Sequence, residues 1–378
     1  MAADTHGFVQ SGFEAVQETL AANLGSGADV GASVCATVDG ETVIDLWGGF
    51  ADETRSRAWE ADTIVNVWST TKTMTALCAL MLADRGQLDM ASPVARYWPE
   101  FAAAGKADVT VAQLLSHSSG LAAWREPMTL ETLYDWDEAC ARLARQEPYW
   151  PPGTASGYHA ITQGNLVGEV VRRIDGRSLG TFFREEVAAP LGADFHIGLP
   201  ASEDARVADL IPPPQAAAVE GAPPPPPLLV SIMTNPPLDP LATRTRAWRA
   251  AEIPAAGGHG NACSVAQIHA ALANGGVAKG RRLLSAAGAR RALELQIEGV
   301  DLVLGAPVRF GLGFGLSGGF MPAAHPNTAF WGGWGGSLIF IDYDARTTFA
   351  YVMNRMEAGV VGDPRGLGLV QAFWAAAG

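Results

Sequence analysis

The sequence predicts a mixed α/β fold of the α+β type, in which helices flank an antiparallel sheet built from both chain ends. Three observations support this. Strand-like runs lie near the start and the end, the region from about 70 to 200 has a mostly helical pattern, and 378 residues suffice for two domains. We expect an α/β domain from residues 1–75 and 230–378, a mainly helical inserted domain from 76–229, and a functional site between them.

The first elements follow from periodicity and turn signals. Apolar residues from Phe8 to Leu24 recur at helical spacing, and Gly25 can end that helix. Asp39-Gly40 separates two strand-like runs, which predicts a hairpin. Residues 64–68, IVNVW, predict a short strand that runs into a helix.

The middle of the chain is predicted to be helical and to end in a proline-rich loop. Residues 212–227 contain PPP and PPPPP, which excludes a helix or a central strand and predicts a stiff, extended surface loop. A docking site for a PxxP-binding partner is the alternative. The predicted helices lie near 70–85, 111–116, 129–145, 161–174 and 179–189.

The last third returns to strands. The run SVAQIHAALANGG predicts a helix from 264, and a second helix is expected near 285–297. The final residues, GLGLVQAFWAAAG, predict a closing helix. Strands are predicted at 308–316, 328–333, 336–343 and 347–353.

Charge and hydropathy exclude several classes of partner. The 26 basic and 39 acidic residues give a net charge of −13, which repels nucleic acid and anionic membrane surfaces. The longest fully apolar run, Ala76–Ala83, is too short for a membrane span. The opening residues show no secretory signal, so we expect a cytoplasmic protein.

The four cysteines, Cys35, Cys78, Cys140 and Cys263, are widely spaced. Three lie in apolar patterns, so we expect buried free thiols in a reducing cytosol. No CxxC, HExxH or HxH spacing occurs, and the sequence pattern therefore predicts no metal site and no cofactor.

Ser69-Thr70-Thr71-Lys72 is the most informative tetrapeptide. A serine at a helix start has its Oγ where the helix dipole favours negative charge, and its N–H can donate to an oxyanion. Lys72 lies on the same helix face, and burial would favour the neutral amine that accepts the serine proton. The alternative is a helix-capping serine beside a surface lysine.

Two further segments carry candidate chemistry. Tyr158 lies at a loop-to-helix junction, where its phenol can shuttle a proton, and a cationic lysine beside it would favour the phenolate. The run WGGWGGS at 331–337 precedes a strand-like segment, and its glycines permit close backbone approach to a substrate. A structural tyrosine and a plain glycine turn are the alternatives.

In order and spacing, these three boxes resemble those of the serine β-lactamase and penicillin-binding-protein superfamily. The sequence is most similar to the class C branch, and within it to the family VIII carboxylesterases. The likeness covers roughly residues 10–375 and includes LLSHSSGL at 114–121, PGTASGYHAITQGNLVGEVV at 152–171 and GGHGNACSVAQIHAALANGG at 257–276. It implies a β-lactamase/transpeptidase-like fold with the active site between the two domains.

The resemblance also implies roles for individual residues. Ser69 would be the nucleophile, Lys72 its activating partner and Tyr158 the tyrosine of the second box. The backbone N–H groups of Ser69 and Trp334 would form the oxyanion hole. No metal and no cofactor are implied.

Two departures from the family pattern bear on the substrate. The second box reads Tyr158-His159-Ala160 rather than the Y-x-N of class C enzymes. Trp331 stands, before Gly332 and Gly333, where β-lactamases have the lysine that grips the β-lactam carboxylate. The missing ammonium favours neutral esters. From their positions in the second and third boxes, we expect four residues to bind substrate: His159, Trp331, Gly332 and Gly333.

We therefore expect a carboxylesterase-type serine hydrolase that cleaves small, short-chain esters through an acyl-enzyme. The partner is a small-molecule ester, with no nucleic acid and no membrane. The alternatives are an acyltransferase or an amide or β-lactam hydrolase of the same superfamily, and a non-catalytic scaffold with this fold.

Several other polar residues receive structural interpretations. Gly315-Leu316-Ser317-Gly318-Gly319 matches the G-x-S-x-G nucleophile elbow, but no helical pattern follows it, so we expect a turn at a strand end. His117 is expected to bond backbone, and His259 and Asn261 lie in a glycine-rich loop that can border the pocket.

Overall fold

A nine-stranded antiparallel sheet joins the two ends of the chain. The strands of the structure are β1 (Thr5–Val9), β2 (Gly31–Val38), β3 (Glu41–Gly49), β4 (Val65–Asn66), β5 (Phe195–Ile197), β6 (Gly258–Gly260), β7 (Val277–Ala278), β8 (Arg281–Arg282), β9 (Ile297–Val300), β10 (Pro307–Phe310), β11 (Gly315–Leu316), β12 (Thr328–Gly332), β13 (Leu338–Asp342) and β14 (Thr347–Met353). The order across the large sheet is β1-β3-β2-β14-β13-β12-β11-β10-β9. The computed structural model describes residues 4–214 and 226–377. Because β2 pairs with β14, the predicted α/β fold with a sheet from both chain ends is confirmed.

Helices cover both faces of the sheet. They are α1 (Glu14–Ser26), α2 (Thr71–Asp84), α3 (Val111–Leu115), α4 (Leu130–Tyr134), α5 (Trp136–Arg145), α6 (Thr162–Asp175), α7 (Leu179–Phe183), α8 (Ala189–Leu191), α9 (Pro227–Thr234), α10 (Arg246–Ala250), α11 (Ala262–Ala273), α12 (Ala286–Arg290) and α13 (Pro364–Ala377). On β14, Thr348 Oγ1 donates to Ala266 O of α11 at 3.0 Å, whereas the next ring, Phe349, lies 5.4 Å from Phe373 of α13. Successive strand residues thus face opposite helical layers.

Helix α2 runs through the interior. Every residue from Thr71 to Leu82 is buried, and the helix packs against α6, α7 and α12. A 3₁₀ turn, Trp68–Thr70, leads into it from β4, as the predicted strand-to-helix junction requires. This placement puts Lys72 in a water-poor environment.

A small sheet, ordered β4-β6-β5, fixes the start of α2. Val67 N donates to Gly258 O and Gly258 N donates to Thr71 Oγ1, both at 2.9 Å. Two segments almost 190 residues apart are thereby joined at the helix start. The sequence reading did not include this sheet, because β5 and β6 have only three residues each.

The predicted helix over residues 8–24 is partly wrong. Residues 5–9 form the edge strand β1 on β3, and α1 runs from Glu14 to Ser26 and ends at Gly27, with φ +78°, rather than at Gly25. The apolar side chain of Phe8 contributed to the predicted helical pattern, but it is 52% exposed and not part of the core. Pairing with the open edge of β3 determines the strand.

Other boundaries also differ from the predictions. The helix expected at 285–297 ends early, and its last residue begins β9. The predicted run 308–316 is two strands, and 129–145 is two helices that meet at Asp135. Residues 215–225 of the proline-rich segment lie outside the described residues. Pro227, which was predicted to lie in a loop, instead opens α9, because the first helical position needs no N–H.

The division into domains at 75/76 and 229/230 stays a prediction. Within residues 4–214 and 226–377, no helix combines the length and apolarity that a membrane crossing requires.

Candidate active site

Ser69 lies in the tight turn between β4 and α2. The preceding residue, Trp68, has φ +47°, a left-handed conformation that is unfavourable for a bulky side chain. Asn66 stabilises this turn: its Oδ1 accepts from Trp68 N at 3.1 Å, and its Nδ2 donates to Ala256 O at 3.1 Å. The strained turn presents the Ser69 hydroxyl at the end of the buried helix, 7% exposed.

Lys72 lies one helical turn after Ser69 and is almost fully buried. Its Nζ lies 2.9 Å from Ser69 Oγ and donates to Ala160 O at 2.7 Å and to Ala255 O at 2.9 Å. A neutral amine has two N–H groups and one lone pair. Since the two carbonyls take the N–H groups, the lone pair is directed at Ser69 Oγ.

Tyr158 completes a chain of three groups. Its hydroxyl donates to Ser69 Oγ at 2.5 Å, and Lys72 Nζ lies 4.9 Å from the centroid of its ring. Ser69 Oγ therefore accepts from the phenol and can donate to the amine. The structure brings together the three residues that the sequence motifs selected.

Burial favours the uncharged form of both groups that flank Ser69. Burial lowers the pKa of the Lys72 ammonium well below its ordinary value and raises the pKa of the Tyr158 phenol. The expectation that a cationic lysine would favour the phenolate is wrong, because neither group has water to stabilise its charged form. The neutral amine is the form that can accept a proton.

The Tyr158 backbone is held by a carboxylate that sequence reasoning missed. Asp301, between β9 and β10, accepts from Tyr158 N at 3.1 Å and from Val303 N and Leu304 N at 2.9 Å each, all through Oδ1. Asp301 is 1% exposed. No local signal marks this residue, since its partner lies 143 positions earlier.

The backbone N–H groups of Ser69 and Trp334 are the predicted donors of an oxyanion hole. In the part of the chain that the structure describes, neither donates to a protein acceptor. Gly333 brings the two segments together: a Cβ there would lie 2.2 Å from Val67 O, 2.4 Å from Ser337 Oγ and 3.2 Å from Ser69 N. Only a glycine allows this approach.

A buried arginine stabilises the glycine turn from below. Arg365 Nη2 donates to Gly335 O at 2.7 Å, and its Nη1 donates to Asp29 Oδ1 at 2.9 Å. Asp363 pairs with the same guanidinium at 2.5 Å. Two carboxylates and the carbonyl thus hold one cation under residues 333–337, the segment that carries the Trp334 N–H.

A small apolar cavity of about 40 Å³ opens beside Ser69. None of the described residues that line it carries a charge. The lining residues are Trp68, Ser69, Tyr158, Ala160, Ile161, Met233, Leu238, Trp334 and Val360. The described cavity wall is therefore apolar and uncharged.

The structure places the four predicted substrate-binding residues behind the cavity wall. His159 is fully buried: its Nε2 accepts from Leu121 N at 3.2 Å and lies 2.8 Å from Ser119 Oγ, and its Nδ1 lies 2.5 Å from Gly157 O. Both ring nitrogens are occupied, and burial lowers the pKa of His159 to about 4. His159 therefore shapes the loop that carries Tyr158.

Trp331 and its glycines also support the site from within. The Trp331 ring lies 5.8 Å from the ring of Tyr158 and stacks at 5.4 Å on His117, whose Nδ1 accepts from His159 N. The expected backbone bond of His117 is thus confirmed. At Gly332 a Cβ would lie 2.7 Å from Gly362 N, so this position also requires close packing.

The remaining candidates lie elsewhere. Ser317 occupies a turn after β11, its N donates to Thr328 O, and the next element is strand β12 rather than a helix, so the predicted strand-end turn is confirmed. His259 is buried in β6, and Asn261 Oδ1 caps α11 by accepting from Ser264 N at 2.8 Å. Neither residue lines the cavity beside Ser69.

Comparisons with known proteins identify the family of this chain. The profile of the family described as Beta-lactamase matches residues 16–372. The chain is 35% identical to the esterase/beta-lactamase LipL of Mycobacterium tuberculosis, over 88% of this chain and 78% of that protein. The family match and this relative each span most of the chain.

Solved structures show the same likeness in three dimensions. A family VIII carboxylesterase is 45% identical with a TM-score of 0.93, and the superposition covers 99% of this chain and 100% of that one. A penicillin-binding-protein homologue from Caulobacter crescentus is 40% identical with a TM-score of 0.91, with the same coverage. The chain belongs to the beta-lactamase family, on the branch that includes the family VIII carboxylesterases.

Proposed function

We propose that this hydrolase cleaves neutral carboxylic esters with short acyl groups through an acyl-enzyme on Ser69. The observation that carries the proposal is the hydrogen-bond chain from Tyr158 through Ser69 to Lys72, at the base of an uncharged cavity. Hydrolysis needs a nucleophile, a base and an acid in contact, and these three residues supply one of each.

Acylation begins with the neutral Lys72. The amine accepts the Ser69 hydroxyl proton while Oγ forms a bond to the ester carbonyl carbon. The carbonyl oxygen becomes an oxyanion and accepts hydrogen bonds from the N–H groups of Ser69 and Trp334. Such donors are worth about 10²- to 10³-fold in kcat each.

Collapse of this intermediate breaks the bond to the leaving oxygen. That alkoxide takes a proton from the Lys72–Tyr158 pair and leaves as an alcohol. Water then gives a proton to the same pair and attacks the acyl carbon. The acid departs, Ser69 recovers its proton, and the enzyme returns to its starting state.

The cavity supports a short, neutral acyl group. Its volume is about 40 Å³, and its described walls provide no cation for a substrate carboxylate. Trp331 occupies the position at which β-lactamases have a lysine, so the third box also lacks a cation for a substrate carboxylate. The carboxylesterase and esterase names of the similar proteins support ester hydrolysis.

The test compares two serines. We expect Ser69→Ala to lower kcat/KM for p-nitrophenyl butyrate by at least about 10³-fold, since it removes the nucleophile. Ser317→Ala, which removes the serine of the alternative G-x-S-x-G motif, is the matched control and retains wild-type turnover. A fluorophosphonate adduct mapped to any serine other than Ser69, or full turnover by Ser69→Ala, would refute the proposal.

Added alcohol separates hydrolysis from acyl transfer. With p-nitrophenyl butyrate and low concentrations of methanol, the proposal expects butyric acid as the main product. Methyl butyrate in excess would assign the acyltransferase function instead. A folded protein that does not react with fluorophosphonate would indicate a non-catalytic scaffold.

A further inference from the structure

A second cluster of reactive side chains lies apart from the Ser69 cavity. Cys35 of β2 and Asp45 of β3 are directly paired in the sheet register, and Cys263 lies in the first turn of α11. One ligand atom from each residue, two Sγ atoms and one carboxylate oxygen, lies within 4.8 Å of the others. Three separate elements converge on one point.

We propose that Cys35, Asp45 and Cys263 bind a zinc-like divalent metal ion. Two thiolates and a carboxylate are a ligand set that zinc accepts in a tetrahedral site. With Zn–S bonds of about 2.3 Å, the two sulfurs of such a site stand about 3.8 Å apart. The three ligand atoms already lie within 4.8 Å of one another, which is compatible with that spacing.

The surroundings match a site with one open coordination position. Asp45 and Cys263 line a pocket of about 260 Å³, whereas Cys35 is fully buried behind them. Polar side chains line the same pocket, including Gln267 and Lys279. Three protein ligands leave the fourth tetrahedral position to a water or a small ligand from this pocket.

The local charges also balance. A divalent ion bound to two thiolates and one carboxylate leaves a net charge of about −1. The ammonium of Lys279 lines the pocket, held by a 3.1 Å bond to Gln267 Oε1, and offsets that charge. On binding, each thiol loses its proton to the solvent, and no bond other than S–H breaks.

Sequence spacing does not reveal this site. Metal motifs are recognised by ligands a few residues apart, whereas Cys263 follows Cys35 by more than 200 positions. The ligands come together only through the β2–β3 register and the packing of α11 on β2. The pocket shares none of its described lining residues with the Ser69 cavity, so this proposal stands independently of the esterase proposal.

The experiment uses reduced, metal-free protein titrated with Co²⁺ and followed by absorption. We expect one Co²⁺ per chain, with a thiolate-to-cobalt charge-transfer band that Zn²⁺ abolishes by displacing the cobalt. Zn²⁺ should also raise the melting temperature, because a ligand that binds only the folded state stabilises it. A wild-type protein with no such band would overturn the proposal.

Variants locate the ligands. Cys263→Ser and Cys35→Ser should each lose most of the band and bind Co²⁺ at least about tenfold more weakly, and Asp45→Asn should weaken binding by about tenfold. Cys140→Ser removes a buried thiol outside the cluster and retains the wild-type titration. If Cys35→Ser fails to fold by circular dichroism, the half-buried Cys263 still provides the test. Binding that is unchanged in Cys263→Ser refutes the site.

Discussion

Gly333→Ala tests how closely the glycine-rich segment must approach Ser69. The added Cβ would lie 2.2 Å from Val67 O and 2.4 Å from Ser337 Oγ. Ser337 Oγ cannot simply turn away, since it donates to Val67 O at 2.8 Å and contacts Thr70 Oγ1 at 2.9 Å. The backbone at Gly333 has an ordinary φ, so the effect is purely one of space.

The geometry sets the size of the effect. A carbon and an oxygen in contact stand about 3.2–3.5 Å apart, so the two segments must separate by about 1 Å. A misplacement of about 1 Å in an active site can lower the rate by about 10²-fold. We therefore expect kcat/KM to fall by about 100-fold, equivalent to about 2.7 kcal/mol of transition-state stabilisation.

The assay is hydrolysis of p-nitrophenyl butyrate, with melting temperatures measured in parallel. Gly368→Ala in α13 is the matched control, because a Cβ there meets nothing within 4 Å. The control should retain wild-type activity, with a melting temperature equal to or slightly above that of the wild type. If Gly333→Ala keeps its activity within threefold of the wild type, the close approach is not required for catalysis.

Four further outcomes follow from the site. Tyr158→Phe should lower kcat by about 10²- to 10⁴-fold. The loss should be larger for ethyl esters than for p-nitrophenyl esters, because the p-nitrophenolate leaving group needs no proton. Equal losses for the two esters would contradict the role of Tyr158 as the acid. Because the neutral amine is the active form, kcat/KM should rise with pH through the pKa of Lys72, which burial lowers well below 10.5. A rise of kcat/KM only near pH 10.5 would contradict the lowered pKa. Asp301→Ala should lower kcat by about tenfold, whereas Asp301→Asn, which keeps the Oδ1 acceptor, should have nearly the wild-type kcat. An equally low kcat in Asp301→Asn would show that Oδ1 does not position Tyr158. Leu238→Ala should raise the octanoate-to-butyrate ratio of kcat/KM by at least about tenfold, and an unchanged ratio would place the acyl chain elsewhere.

Local patterns predicted the elements that depend on local forces. Asp39-Gly40 marked the hairpin between β2 and β3 because a tight turn needs those residues whatever surrounds it. Ser69 and Lys72 were paired for the same reason, since helical geometry alone puts them on one face. The apolar run of α2 likewise reflects its burial on all sides.

Features set by distant contacts escaped prediction. The lone pair of Lys72 is oriented by two backbone carbonyls, Ala160 and Ala255, and a carbonyl has no sequence signature. Asp301 acts on Tyr158 from a loop that looks ordinary in the sequence. The expected phenolate of Tyr158 was wrong for a related reason, because burial, which only the fold reveals, raises the pKa of the phenol.

The pairing of β2 with β14 constrains how the chain can be made. Thr37 and Thr348 hydrogen-bond across this pair although 311 positions separate them in sequence. During synthesis the β2–β3 hairpin leaves the ribosome long before β14 does. Until β14 pairs with it, β2 has an unpaired edge, and unpaired strand edges are prone to aggregation. Translation products that stop short of β14 lack the strand that joins β2 to β13, and we expect them to aggregate.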